Sequence, residues 1–201
     1  MQDKANTIKE MGVLSEIVYK NDYFLNTNPD TIINHSDHNQ LQNTYTVRAT
    51  SNTASGFQGM LLENENPQNG ESRYVFAFRG TEPSLFNGEP IKDLIIADIA
   101  YMGTGTAPQQ MKDAMAFVYD VMHDPNLNLT LNASNTSFTG HSLGGAIAGM
   151  ASYVYGFDAY TFNGFGIKNM LWDADDISGI NHPLEMDNYG IDVYQTLGEY
   201  L

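Results

Sequence analysis

Ser142 stands two residues from Gly140 and two from Gly144, inside the run Thr136-Ser-Phe-Thr-Gly-His-Ser-Leu-Gly-Gly-Ala-Ile-Ala-Gly-Met150. A short strand pattern, a glycine-bracketed serine and a helix pattern follow one another directly, the sequence of a nucleophile elbow. Glycine is needed on both sides because the turn that lifts a serine clear of its strand brings backbones too close for a Cβ. The same turn leaves Ser142 at the start of a helix, where unpaired N–H groups and the positive end of the macrodipole favour a developing oxyanion. The five-residue pattern alone arises by chance in roughly one chain of this size in fifteen at ordinary glycine and serine frequencies, so the strand-turn-helix setting carries most of the weight. A serine hydroxyl is a poor nucleophile at neutral pH. Acyl transfer at Ser142 therefore needs a general base, an acid that orients the base, and donors for the oxyanion.

The elements that would position these groups follow in chain order. Thr7 to Glu10 matches a capping box, and Ile8, Met11, Leu14 and Val18 recur at helical spacing, which predicts an amphipathic helix up to about Tyr19 packed on a sheet face. Asn21 to Asn43 is polar and aperiodic and reads as a long loop; His35 and His38 in it are spaced to share a metal, but no third ligand accompanies them, and they read as exposed loop histidines. Tyr45 to Thr50 and Phe57 to Leu62 form a hairpin pattern. Tyr74 to Phe78 is apolar throughout, as a strand buried on both faces would be, and runs into Arg79-Gly80-Thr81.

Pro108 opens a helix whose Met111, Met115, Val118 and Met122 line one face, a core stripe in character, and Asp124-Pro125 ends it. After the elbow strand, a small-residue helix runs from Gly145 to about Tyr155, and Ala159 to Phe162 is a further strand. Asp173, Asp175 and Asp176 form an acidic loop that lacks the complete ligand spacing of a calcium site. The order strand, strand, strand, helix, strand, helix, strand predicts one α/β domain over residues 1–201 with helices on both faces of the sheet.

Composition narrows the partners. A formal charge of -15 repels the phosphates of nucleic acid and makes an anionic membrane unwelcoming. With no cysteine, neither a disulfide framework nor a thiolate metal site can form. No basic segment followed by an apolar stretch opens the chain, and no run reaches the about 18 apolar residues of a membrane helix, so a soluble protein, cytoplasmic or exported without an N-terminal signal, is expected. The Asn-x-Ser/Thr triplets at Asn128, Asn132 and Asn135 are read as coincidence in an Asn-rich chain.

Four pieces resemble the class 3 lipases, the fungal-lipase-like α/β-hydrolases: Val75-Phe76-Ala77-Phe78-Arg79-Gly80-Thr81, Ile91-Lys92-Asp93-Leu94-Ile95-Ile96-Ala97-Asp98, Thr139-Gly140-His141-Ser142-Leu143-Gly144-Gly145-Ala146 and Ala159-Tyr160-Thr161-Phe162-Asn163. The resemblance spans roughly Tyr74 to Phe165. It implies an α/β-hydrolase fold with a mixed, mostly parallel sheet, a nucleophile at Ser142, oxyanion donors at Thr81 and the amide of Leu143, and no metal or organic cofactor. It also implies a lipid or other ester substrate and transient contact with a lipid interface. By the same resemblance the segment after Thr81, with Leu85, Phe86, Ile91, Leu94, Ile95 and Ile96, is expected to be a lid, the alternative being a surface loop with two anchoring apolar residues. His141, though adjacent to the nucleophile, is a motif residue and not the base, since neighbouring residues in an extended turn point in opposite directions.

The family's acid and base follow the serine in that order. Here His182 is the only later histidine, and it would have to pair with Asp173, Asp175 or Asp176 across very little chain. Asp192, between Ile191 and Val193, is the more family-like acid and would need a base beyond Leu201. The sequence thus predicts a C-terminally incomplete hydrolase, lacking its last strand and histidine. The alternative is an inactive hydrolase-like scaffold that binds lipid or a partner protein.

Overall fold

The first sixteen described residues, Gln2–Ile17, are helix α1. In the computed structural model, residues 2–20, 30–36, 38–80, 109–164 and 191–194 are described, the last stretch and residues 2–3 by backbone alone. The helix starts upstream of the predicted capping box, because Gln2, Lys4 and Ala5 continue it without a breaker. Thr7 and Glu10 consequently lie within the helix and are buried. Glu10 points inward, where its carboxylate accepts hydrogen bonds from the amides of Gln42 at 3.0 Å and Asn43 at 2.9 Å and from the Tyr45 hydroxyl at 3.3 Å. These charge-assisted bonds anchor the chain entering the sheet on α1. Burial first, and the Glu10 charge second, push the Tyr45 phenol far above its ordinary pKa, so it stays a neutral donor.

Among the described residues the sheet has seven strands in sequential order: β1 (Ile32–Ile33), β2 (Tyr45–Asn52), β3 (Gln58–Asn64), β4 (Tyr74–Phe78), β5 (Thr136–His141), β6 (Asp158–Phe162) and β7 (Ile191–Tyr194). The first four pair antiparallel and β4 through β7 pair parallel, so the sheet is mixed. The parallel half requires crossover segments, supplied by α2 (Gln109–His123) between β4 and β5 and α3 (Leu143–Tyr155) between β5 and β6. The expected hairpin is β2–β3, turned at Gly56 with φ +88. β1 went unpredicted because two residues are too few to show a period.

β4 is buried along its whole length, as its apolar run implied. Its side chains divide between two cores by alternation. Val75 and Ala77 face a cluster with Met11, Leu14, Ile17 and Val18 of α1 and its end, whereas Tyr74, Phe76 and Phe78 face α2 and α3. Helices thus cover both faces. Phe76, Phe78, Phe138 and Phe157 form a chain of neighbouring rings with centroids 5.5–6.4 Å apart, within the range of favourable aromatic pairs. The α2 stripe is core: Met111, Met115 and Val118 are buried, Val121 takes the last place, and Met122 is only partly covered.

Asp113 ties α2 to the hairpin turn. It accepts bonds from Thr53 Oγ1 at 2.7 Å, Ser55 Oγ at 2.6 Å and Gln109 Nε2 at 2.7 Å. Burial raises the pKa of this carboxyl, but the hydrogen bonds from Ser55, Gln109 and Thr53 outweigh it and hold the group below its ordinary value. A depressed folded pKa gives stability that is complete above the unfolded value of about 4 and lost as pH falls through the folded one. We expect the stability gap between wild type and a Thr53→Ala/Ser55→Ala variant, read from urea midpoints, to narrow between about pH 6 and pH 3. A gap independent of pH would rule out this role for Asp113.

Candidate active site

The parallel strands end together. Phe78 of β4, Gly140 of β5 and Thr161 of β6 lie side by side, and His141, Phe162 and Tyr194 form the next row. In open α/β sheets the carboxyl ends of the strands form the crevice where ligands bind. Ser142 is the next residue beyond that row, with the Arg79-Gly80 turn and the Asn163-Gly164 turn leaving the strands on either side of β5.

Ser142 has φ 56 and ψ -123, a conformation that costs a non-glycine residue on the order of 1–3 kcal/mol. What holds it there is backbone crowding. A Cβ on Gly140 would fall on the carbonyl of Gly144, and one on Gly144 would fall on the carbonyl oxygen of Phe78. One on Gly145 would come within 3.0 Å of the Gly164 backbone. The Ser142 amide donates to the Phe162 carbonyl at 2.9 Å, and its own carbonyl accepts from Gly145 at 3.0 Å and Ala146 at 3.2 Å. The elbow is therefore pinned to β4, β6 and α3 together.

The Ser142 side chain makes no capping bond to α3, although serine at that position commonly does, and its Oγ has no hydrogen-bond partner among the described residues. The amides of Leu143 and Gly144, in the first turn of α3, have no acceptor among the described residues either. Hydroxyl and amides thus share the positive end of a thirteen-residue helix whose side chains are buried from Leu143 to Val154. The helix closes at Gly156, φ 71, whose N–H returns to the Ser152 carbonyl at 2.8 Å.

His141 is the last residue of β5. Its Nε2 lies 3.4 Å from the Asn163 amide nitrogen, and its carbonyl lies 3.5 Å from the Tyr19 hydroxyl. Burial lowers the His141 pKa, with Glu16 acting weakly in the opposite sense, so the ring is neutral at pH 7. Asn163 adopts the left-handed conformation, φ 48, which asparagine tolerates better than most residues.

Of the other residues singled out in the sequence, Thr81, the segment from Glu82 to Ala100, Asp173, Asp175, Asp176 and His182 lie outside the described residues. Gly80, immediately before Thr81, sits against the elbow: a Cβ on it would lie 2.6 Å from the His141 carbonyl oxygen and 3.1 Å from the Gly144 nitrogen. Asp192, two residues before the end of β7, pairs with Tyr160, which in turn pairs with Thr139, three residues before Ser142. His35 Nδ1 engages the Leu41 carbonyl at 3.0 Å, and no trio of His, Asp or Glu side chains is placed to hold a metal ion among the described residues. No described helix is long and apolar enough to cross a membrane. Sequence reasoning missed Tyr19 and Asn163, which carry no signal beyond ending a helix and a strand.

A family model described as a Tle-like phospholipase domain, of the phospholipase-like group, matches residues 10–201. No curated protein matches the chain in sequence. The match supports a family of lipase or phospholipase type, and it does so without singling out the class 3 lipases that the strand and elbow motifs resemble. With nearly its whole length covered, a mixed α/β sheet and a serine strained at the parallel strand ends, the chain belongs to the Tle-like phospholipase domain family.

Proposed function

We propose that this chain is a serine carboxylic-ester hydrolase of α/β-hydrolase architecture that acts on phospholipids through an acyl-Ser142 intermediate. The observation that carries the reading is the conformation of Ser142, φ 56 and ψ -123, enforced by glycines at the carboxyl end of the parallel sheet while its hydroxyl is committed to no other partner among the described residues.

In this reading Ser142 Oγ attacks the ester carbonyl carbon as its proton passes to a general base. The carbonyl π electrons move onto oxygen, and the amide of Leu143 with Thr81 receives that oxyanion. Collapse expels the alcohol, a lysophospholipid, which takes up the proton from the base. Water activated by the same base then attacks acyl-Ser142, releasing the fatty acid and restoring the serine. The His141 ring is engaged with Asn163 and takes no part as the base in this cycle. The base is assigned to chain outside the described residues, and Asp192, whose backbone lies level with Tyr160 and Thr139, is the candidate acid. The segment after Thr81 serves as the lid that excludes water from the ester.

The test is reaction with a fluorophosphonate probe, followed by peptide mapping. Stoichiometric phosphonylation at Ser142 is expected, with hydrolysis of phosphatidylcholine vesicles exceeding that of a triacylglycerol emulsion. Absence of labelling together with absence of turnover would replace the enzyme by a lipid-binding scaffold. Labelling with preference for the triacylglycerol would leave a lipase.

A further inference from the structure

The two sources of oxyanion donors, the turn after β4 and the first turn of α3, belong to chain segments that must be held at a fixed separation. Backbone pairing between β4 and β5 ends at Phe78 and Gly140, so the ladder itself stops before the residues that matter. Beyond that point the amide of Gly80 donates to the hydroxyl of Tyr19 at 2.9 Å. The same hydroxyl faces the carbonyl of His141, the residue before the nucleophile, at 3.5 Å. A hydroxyl is the smallest group that can accept from an amide and donate to a carbonyl at once.

The tyrosine is itself held. Its amide donates to the Glu16 carbonyl at 3.0 Å, one turn back at the end of α1. The guanidinium carbon of Arg79 lies 5.4 Å from its ring centroid, in the range of a cation–π contact. Arg79 is buried and anchored in turn on Gln58, through its side chain and through an amide bond of 2.9 Å to the Gln58 carbonyl. The meeting point has no spare room: a Cβ on Gly80 would lie 2.5 Å from the Tyr19 hydroxyl.

We infer that Tyr19 is a positioning residue for ester hydrolysis, its hydroxyl replacing the missing rung between β4 and β5 and so setting the distance from the Gly80 backbone to the elbow that carries the Leu143 amide. The inference rests on the serine-hydrolase reading above. Tyr19 touches no substrate; it acts through the two backbones it joins. Misplacement of a reacting geometry by about 1 Å lowers rates by on the order of 100-fold, so a modest relaxation of the turn is visible in turnover.

The experiment compares full-length wild type and Tyr19→Phe in steady-state hydrolysis of a short-chain nitrophenyl ester, in the rate of fluorophosphonate labelling and in thermal melting. Tyr19→Phe keeps the ring over Arg79 and removes only the hydroxyl. The expected result is a fall of about 10- to 100-fold in kcat and in the labelling rate, with KM unchanged, labelling of Ser142 still running to completion and melting within a few degrees of wild type. A Tyr19→Leu variant, lacking ring and hydroxyl, should lose no more kcat than Tyr19→Phe once measured below its own melting. Wild-type kcat in Tyr19→Phe, with loss confined to Tyr19→Leu, would reduce the residue to packing and overturn the inference. A wild-type protein that neither labels nor turns over removes the hydrolase reading itself, and the inference falls with it.

Discussion

Ser142→Ala is expected to lower kcat for ester hydrolysis by on the order of 10⁶-fold, the scale seen when a nucleophilic serine is removed from a working triad. The fold should be unaffected, since the Ser142 side chain makes no capping bond and no hydrogen bond among the described residues. Alanine inherits the strain, however, because φ 56 disfavours any Cβ. Ser142→Gly separates the two properties of the site. Glycine reaches this conformation without penalty, relieving about 1–3 kcal/mol, and gives back about 0.4–1 kcal/mol through the more flexible unfolded chain. The net gain of about 1 kcal/mol corresponds to melting roughly 2–4 °C higher in a domain of this size. An inactive Ser142→Gly that melts above both wild type and Ser142→Ala is thus the expected pattern, checked by calorimetry beside esterase assays. Equal melting of all three would mean that the elbow stores no strain, and residual turnover in Ser142→Ala would move the chemistry elsewhere.

The second large effect is expected at Gly144. An alanine there would place its Cβ on the Phe78 carbonyl oxygen and 2.9 Å from the Arg79 carbonyl carbon. These are backbone atoms at the end of a fully buried strand, with no rotamer to yield, so α3 itself must shift away from β4. Overpacking of this kind costs about 3 kcal/mol or more, a drop of roughly 6–12 °C in melting. The shift would also displace the amide of Leu143, the proposed oxyanion donor, and is expected to lower kcat by on the order of 100-fold even in the fraction that remains folded. Gly156→Ala is the control. It has open space around its Cβ and only a left-handed φ of 71 to oppose it, so it should cost about 1–2 kcal/mol and leave kcat unchanged. Denaturant titration and active-site titration of the folded fraction distinguish the two. Comparable kinetics for Gly144→Ala and Gly156→Ala would show that close packing of α3 on β4 has no part in the function.

These consequences were unequally legible in the chain. The elbow could be read because its pattern is local: Gly140, Ser142 and Gly144 lie within one turn, and the clash at Gly140 is with Gly144 itself, although the clash at Gly144 comes from Phe78 and Arg79 of the neighbouring strand end. The buried run Tyr74 to Phe78, the α2 stripe and the hairpin were legible for a related reason, since burial imposes a period on the residues that undergo it. The capping box at Thr7 and Glu10 misled because the glutamate of such a pair can satisfy helix amides or, as here, reach across to Gln42 and Asn43. Nothing local distinguishes the two uses.

Asp192 shows the same limit from another side. Its neighbours Ile191 and Val193 mark it as a strand residue, but only the register with Tyr160 and Thr139 reveals how far it stands from the level of Ser142. Register is a pairing between strands, and a strand's own residues define its period without its offset.

By itself, then, the amino-acid sequence determined where the glycine-bracketed serine lies and which segments form the layers around it, because the elbow pattern and periodic burial are written in consecutive residues. The tertiary structure alone decided what steadies that nucleophile. Tyr19 meets Gly80 across 61 residues and His141 across 122. A hydroxyl shared between two backbones so distant in sequence leaves no mark on the residues beside it.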